Sequence, residues 1–133
     1  VLEEIEAGAM MDNAARVGQR LKSRLGDLMQ HYSFIGDVRG KGLLLAFEFV
    51  SDRRTMAPLP KALNAYHHFV EMAYAEGLIV YSRRTRNGLE GDHILVCPPM
   101  ITTDEQVEEI VEMLTRALDR FEAKVSPALP RSA

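Results

Sequence analysis

The sequence predicts a two-layer α+β module in which a sheet of three or four mainly antiparallel strands carries helices on one face. Three observations predict it. Residues 43–50, LLLAFEFV, are almost unbrokenly apolar with Glu48 the only charge, as an interior strand requires. Segments 61–76 and 103–122 repeat apolar residues at helical spacing. Shorter apolar runs at 78–81 and 93–97, with a polar loop between them, supply further strands. A chain of 133 residues, 47% of them hydrophobic, can bury one core and is expected to form a single domain.

The chain opens on a helical pattern over residues 1–30. Met10, Ala14, Val17, Leu21, Leu25 and Leu28 share one stripe, and Arg16, Arg20, Lys22 and Arg24 fall mostly off it. Gly8 costs this helix about 1 kcal/mol relative to alanine, which predicts a kink or a split between Gly8 and Asp12. A short link at 31–35 and a glycine-rich turn, GDVRGKG at 36–42, lead into the central strand. Alternation there puts Leu43, Leu45, Phe47 and Phe49 on one face and Leu44, Ala46, Glu48 and Val50 on the other. Both faces are expected to be covered, and Glu48 then needs a partner or an outlet to water.

Residues 51–60, SDRRTMAPLP, form a polar, proline-bearing connection. Leu63, Tyr66, Phe69, Val70 and Ala73 mark an amphipathic helix that stops at Gly77, where a left-handed cap is common. A strand at 78–81 follows, then a loop at 82–91, SRRTRNGLEG, with three arginines and the turn pair Asn87-Gly88. Pro98 and Pro99 close the strand at 93–97. Thr103 and Gln106 form a capping box for the last helix, whose core stripe is Val107, Ile110, Val111, Leu114, Leu118 and Phe121. The last residues, 125–133, hold two prolines and are expected to form a flexible tail.

Composition narrows the partners. Sixteen basic against 19 acidic residues give a formal charge of −3, which argues against nucleic acid. The lone Cys97 excludes an internal disulfide and fits a reducing cytoplasm. No apolar run approaches the roughly 20 residues that cross a bilayer, and no secretory signal is visible. Val1 already lies in a helical pattern, so the chain is expected to start within an element.

Most candidate sites have a structural explanation. Gly36 to Gly42 falls one residue short of phosphate-loop spacing and has Gly42 where Ser or Thr is needed, so its glycines are expected to serve a turn. His67 and His68 are neighbours on a helix, point apart, and lack partners at ligand spacing, so no metal site is expected. Cys97 ends a buried strand with no basic neighbour to activate it and is expected to be a packing thiol. Arg83, Arg84 and Arg86 differ, because a loop between core strands can aim a guanidinium into a cleft. Such groups fork onto carboxylates, although a solvated turn accounts for the same residues.

GDVRGKGLLLAFEFV, then EGLIVYS, then GDHILVCPPMITTDEQVEEIVEMLTRAL closely resembles the C-terminal segment of class III aminotransferases, pyridoxal-phosphate enzymes of fold type I that include the ω-amino acid transaminases. NAARVGQRLKSRL, from Asn13 to Leu25, resembles the helix that leads from their large domain into the small one. The resemblance covers roughly residues 1–124. It implies an interdomain helix at 1–30, a small domain at 31–124, and amino-group transfer between an amine or amino acid and a keto acid such as pyruvate, by way of a lysine Schiff base.

In such enzymes the cofactor lysine, phosphate turn and pyridine-binding aspartate belong to the large domain. None of Lys22, Lys41, Lys61 or Lys124 lies in a sequence like the family's Schiff-base motif, so this chain alone is expected to be inactive and to bind no pyridoxal phosphate. The resemblance further implies a homodimer when full length, with the large domain as partner. Many members carry an arginine between the GLIV-type and CPP-type strands that pairs with the substrate carboxylate. It follows the strand directly in those members, whereas Tyr81 and Ser82 intervene here; Arg83 is the carry-over, with Arg84 and Arg86 as alternatives. The competing expectation is an autonomous α+β ligand-binding or regulatory module that shares only the architecture.

Overall fold

The computed structural model describes residues 1–85 and 90–129. Its helices are α1 (Leu2–Ala7), α2 (Met10–His31), α3 (Ala65–Ala75) and α4 (Asp104–Val125), and its strands are β1 (Ile35–Lys41), β2 (Leu44–Phe49), β3 (Tyr81–Arg84) and β4 (Glu90–Val96). The strands form one sheet in the order β1-β2-β4-β3, with every neighbouring pair antiparallel. Helix α2 packs on β1 and β2, α3 packs on β3 and β4, and α4 packs against both helices, so the helices cover one face. This is the expected α+β module. Among the described residues, no helix is long and apolar enough to cross a membrane.

The expected break near Gly8 is present. Gly8 and Ala9 separate α1 from α2, and Ala9 takes a left-handed backbone, φ 48°. Helix α1 buries no residue, whereas α2 buries Val17, Leu21, Leu25 and Leu28 of the predicted stripe. It also buries Gly18, where a Cβ would stand 2.2 Å from the Gly42 carbonyl oxygen. A glycine there lets the helix backbone rest directly on the β1–β2 turn, itself made by Gly40 and Gly42 at φ 131° and 56°.

Three expectations are corrected. Residues 36–42, expected as a turn, are mostly strand β1. Its polar Asp37 and Arg39 suit an edge strand, and pairing with β2 overrides their weak strand preference. The strand expected at 78–81 lies instead at Tyr81–Arg84, so Arg83 and Arg84 are on a strand and not on a loop. Leu78 still closes the end of α3, its amide donating to the Ala73 carbonyl at 2.9 Å. Finally, β2 is interior to the sheet but covered on one face only: Leu45, Phe47 and Phe49 are buried, while Leu44 is 65% exposed.

The core gathers all five phenylalanines of the chain, Phe34, Phe47, Phe49, Phe69 and Phe121. Phe49 stacks on Phe121 at 4.7 Å between centroids and meets Phe69 edge-on at 5.3 Å. Arg53 ties the end of α2 to the start of β1. Its guanidinium donates to the carbonyls of Met29, Tyr32 and Ile35, at the helix end and the strand start. The predicted capping box forms: Thr103 Oγ1 accepts from the Gln106 amide, and Gln106 Oε1 accepts from the Thr103 amide. Of the residues expected in a tail, Val125 is fully buried in the last turn of α4 and Leu129 packs on the core. Residues 130–133 lie outside the described residues.

Candidate functional site

Strand alternation divides the sheet into a covered face and an open one. Cα partners across antiparallel strands point to the same side. Ala46 pairs with Arg39 and Leu95, Leu95 pairs with Tyr81, and His93 pairs with Glu48 and Arg83. These residues, with Asp37 and Leu44, therefore make up the face away from the helices. Tyr81 and Leu44 are 59% and 65% exposed there, so apolar surface lies beside charge.

The charges on this face are not equivalent. Arg39 lies 2.8 Å from both Asp37 and Glu48, which supplies the partner that Glu48 needs. Hydrogen-bonding contact links His93 Nδ1 to the Gly91 carbonyl at 3.3 Å. Arg83 is exposed, and among the described residues its side chain meets only the Tyr81 ring, 5.9 Å from the centroid. Among the described residues, no hydrogen bond or ion pair engages this guanidinium, which lies beside an aromatic ring on the edge strand of the sheet.

Arg84, one residue on, turns to the covered face. Its Nε and a terminal nitrogen donate to Asp92 at 2.6 and 3.1 Å, a bidentate pair between Cα partners of β3 and β4. The two side chains are only 8% and 3% exposed. The guanidinium also stacks on Tyr66 of α3 at 4.8 Å and reaches the Lys61 carbonyl at 3.5 Å. The hydrogen bond to Asp92 outweighs desolvation and holds Arg84 above its ordinary value, so it stays charged. The structure thus separates two of the predicted arginines: Arg84 is committed to an internal pair, and Arg83 has no hydrogen-bond or ion-pair partner among the described residues. Arg86 lies outside the described residues. Sequence reasoning missed Asp92, whose signal was an acidic residue opening an apolar strand eight positions beyond an arginine across a turn.

The residues set aside on sequence grounds are also placed. Cys97 is exposed beyond the end of β4, with Sγ 4.0 Å from the Leu45 carbonyl oxygen, so the buried thiol expected there is corrected. His67 and His68 lie in the first turn of α3, and Nδ1 of each faces Glu71 Oε2, at 3.5 and 3.1 Å. A cleft of about 560 Å³ lies between the α1–α2 break and the start of α4, where Asn13 Nδ2 donates to the carbonyls of Met100 and Thr102 and Arg16 pairs with Asp104 at 2.6 Å.

Comparison with known proteins gives this geometry a family. Residues 1–118 match the family described as Aminotransferase class-III. Taurine–pyruvate aminotransferase of Rhodobacter capsulatus is 35% identical over 124 residues, 92% of this chain and 26% of that protein. Leucine/methionine racemase of Thermococcus litoralis is 35% identical over 118 residues, 89% and 25% of the two chains. Among solved structures, a thermostable omega transaminase 6-fold mutant from Pseudomonas jessenii superposes with a TM-score of 0.79 at 34% identity, over 95% of this chain and 26% of that one. An amine transaminase from an uncultivated Pseudomonas species, solved in its PLP-bound form, gives a TM-score of 0.78 at 34% identity, over 90% and 25%. The chain therefore spans about a quarter of the length of the relatives it matches. With the family match running through all four strands and into the last helix, the chain belongs to the class III aminotransferase family.

Proposed function

We propose that this chain works as the small domain of a longer pyridoxal-phosphate-dependent aminotransferase. The open sheet face walls the substrate cleft, and Arg83 binds the carboxylate of an amino acid or keto acid. The observation that carries this reading is the contrast on β3, where Arg84 is locked onto Asp92 while Arg83 has no hydrogen-bond or ion-pair partner among the described residues. A carboxylate entering a partly dry cleft needs a permanent forked cation, and in this proposal Arg83 supplies it.

The described residues do not themselves fit the cofactor, which requires a lysine amine for its aldehyde carbon and a partner for its ring nitrogen. Lys22 Nζ donates to the Gly40 carbonyl at 3.1 Å on the rim of a cleft of about 320 Å³ that has Lys41 but no carboxylate in its lining. The larger cleft beside Asn13 has carboxylates, Asp12 and Asp104 among them, but no lysine. In this proposal the cofactor sits on polypeptide beyond the chain and supplies the electron sink for amino transfer. The role of the residues seen here is to bind and orient the substrate acid.

The enzyme is proposed to be a cytoplasmic homodimer, and sedimentation of the longer polypeptide tests the assembly. Racemisation of an amino acid is a second reading, favoured by the 35% identity to leucine/methionine racemase. One experiment separates them. The enzyme carrying this sequence, loaded with pyridoxal phosphate, is given an amino donor with and without pyruvate. Alanine formed only when pyruvate is present supports transamination. Inversion of a single amino acid without any acceptor supports racemisation instead.

A further inference from the structure

We propose that His67, His68 and Glu71 on α3 form a surface site for a divalent first-row transition-metal ion, with Zn²⁺ as the reference case. The site is separate from the open sheet face and needs no part of the substrate-binding reading. Its basis is convergence on one turn of helix. Residues 67 and 71 are one turn apart and 68 and 71 are three positions apart, so Glu71 falls in angle between the two histidines. Helical side chains also lean toward the helix N-terminus, which brings the Glu71 carboxylate back over both imidazoles.

The distances agree with that geometry. Glu71 Oε2 lies 3.5 Å from His67 Nδ1 and 3.1 Å from His68 Nδ1. Metal–ligand bonds of about 2.0–2.1 Å at tetrahedral angles require ligand atoms roughly 3.3 Å apart. Two edges of the ligand triangle are already at that length, and the three ligand atoms all lie within 4.8 Å of one another. Only the edge between the histidines has to close. The rings stand nearly perpendicular, 86° between planes with centroids 5.8 Å apart, and closing that edge takes rotation of the two imidazoles.

The donor set decides the metal. Two neutral imidazoles and one carboxylate suit zinc, copper, nickel or cobalt, and offer too few oxygens for calcium or magnesium. The side chains are 56%, 33% and 60% exposed, so water can fill the remaining positions and the ion can enter from solvent. The adjacent pair His67-His68 alone is a poor chelate; Glu71 at the third corner makes it a site.

The test is calorimetric titration of the untagged, chelator-stripped chain with ZnCl₂, with visible absorption of Co²⁺ as a second readout. The expected result is uptake of one ion per chain that saturates below about 1 mM. Glu71→Gln and His67→Ala should each weaken it by more than about the tenfold to hundredfold lost when a mere hydrogen-bond supporter of a ligand is removed. Cys97→Ser should leave the titration unchanged. Absence of saturable binding, binding that survives both substitutions at α3, or binding lost in Cys97→Ser would each overturn the proposal. Helical content by circular dichroism, unchanged in Glu71→Gln, separates lost binding from lost folding.

Discussion

Removing Asp92 should cost this chain more stability than any other single surface-to-core polar change described above. Asp92→Ala leaves the Arg84 guanidinium 8% exposed, against Tyr66, with its two donors to the carboxylate unpaired. Breaking a buried pair from one side costs about 3–5 kcal/mol, because the remaining charge is stranded in a poor solvent. For a domain whose total stability is about 5–15 kcal/mol, that is a large share. Replacing both partners, as Arg84→Met with Asp92→Leu, removes the stranded charge together with the pair. It should recover most of the loss, since well-packed apolar substitutes for a buried pair are often neutral or better. The assay is urea unfolding of the four proteins of the double-mutant cycle, followed by circular dichroism with midpoints and slopes fitted separately. A loss below about 1 kcal/mol for Asp92→Ala, or a double variant as unstable as the sum of the singles, would show that the pair is effectively solvated and that the desolvation reasoning fails.

Three further outcomes follow from particular contacts. Arg53→Met should destabilise by about 2 kcal/mol, because one guanidinium serves the carbonyls of Met29, Tyr32 and Ile35, and hydrogen exchange should rise at the end of α2. Gly18→Ala should destabilise by about 1–3 kcal/mol in the same unfolding assay, despite alanine's helix preference, since its Cβ would stand 2.2 Å from the Gly42 oxygen. Hydrogen bonds from Arg120 and then Arg116 hold the Glu76 carboxyl below its ordinary range, so its contribution is present above that range and is lost as pH falls through the depressed value. Glu76→Gln should therefore flatten the acid side of the stability profile, and a profile unchanged between pH 6 and strong acid would contradict this.

The helices were legible because their signals are local. The stripe from Val17 to Leu28, the capping box at Thr103 and Gln106, and the glycine weak point at Gly8 each need only a few neighbouring residues to act. The buried half of β2 was legible for the same reason. Strand β1 was not, because Gly36, Asp37 and Gly40 prefer turns, and only the pairing of Asp37 with Glu48 and Arg39 with Ala46 makes them a strand. The start of β3 was displaced because apolar Leu78 to Val80 carry the local signal. What holds Tyr81–Arg84 in the sheet is register with β4 and the Arg84–Asp92 pair, which are nonlocal. The same register decides the candidate site. Sequence offered Arg83 by resemblance, with Arg84 and Arg86 as alternatives, and only strand alternation sends Arg83 and Arg84 to opposite faces. The grouping of His67, His68 and Glu71 was not legible from the adjacent histidines alone, which diverge on a helix and come together only through Glu71 one turn on.

The substrate-binding claim meets its most direct test in Arg83→Ala, made in the enzyme that carries this chain and assayed separately in its two half-reactions. If Arg83 binds the substrate carboxylate, kcat/KM for keto acids should fall by the roughly 1.5–3 kcal/mol of a hydrogen bond to a charged group, about 10- to 150-fold. Simple amines, which carry no carboxylate, should react in their half-reaction as before. Equal losses for amines and acids, or undiminished turnover of keto acids, would contradict the assignment of that role to Arg83.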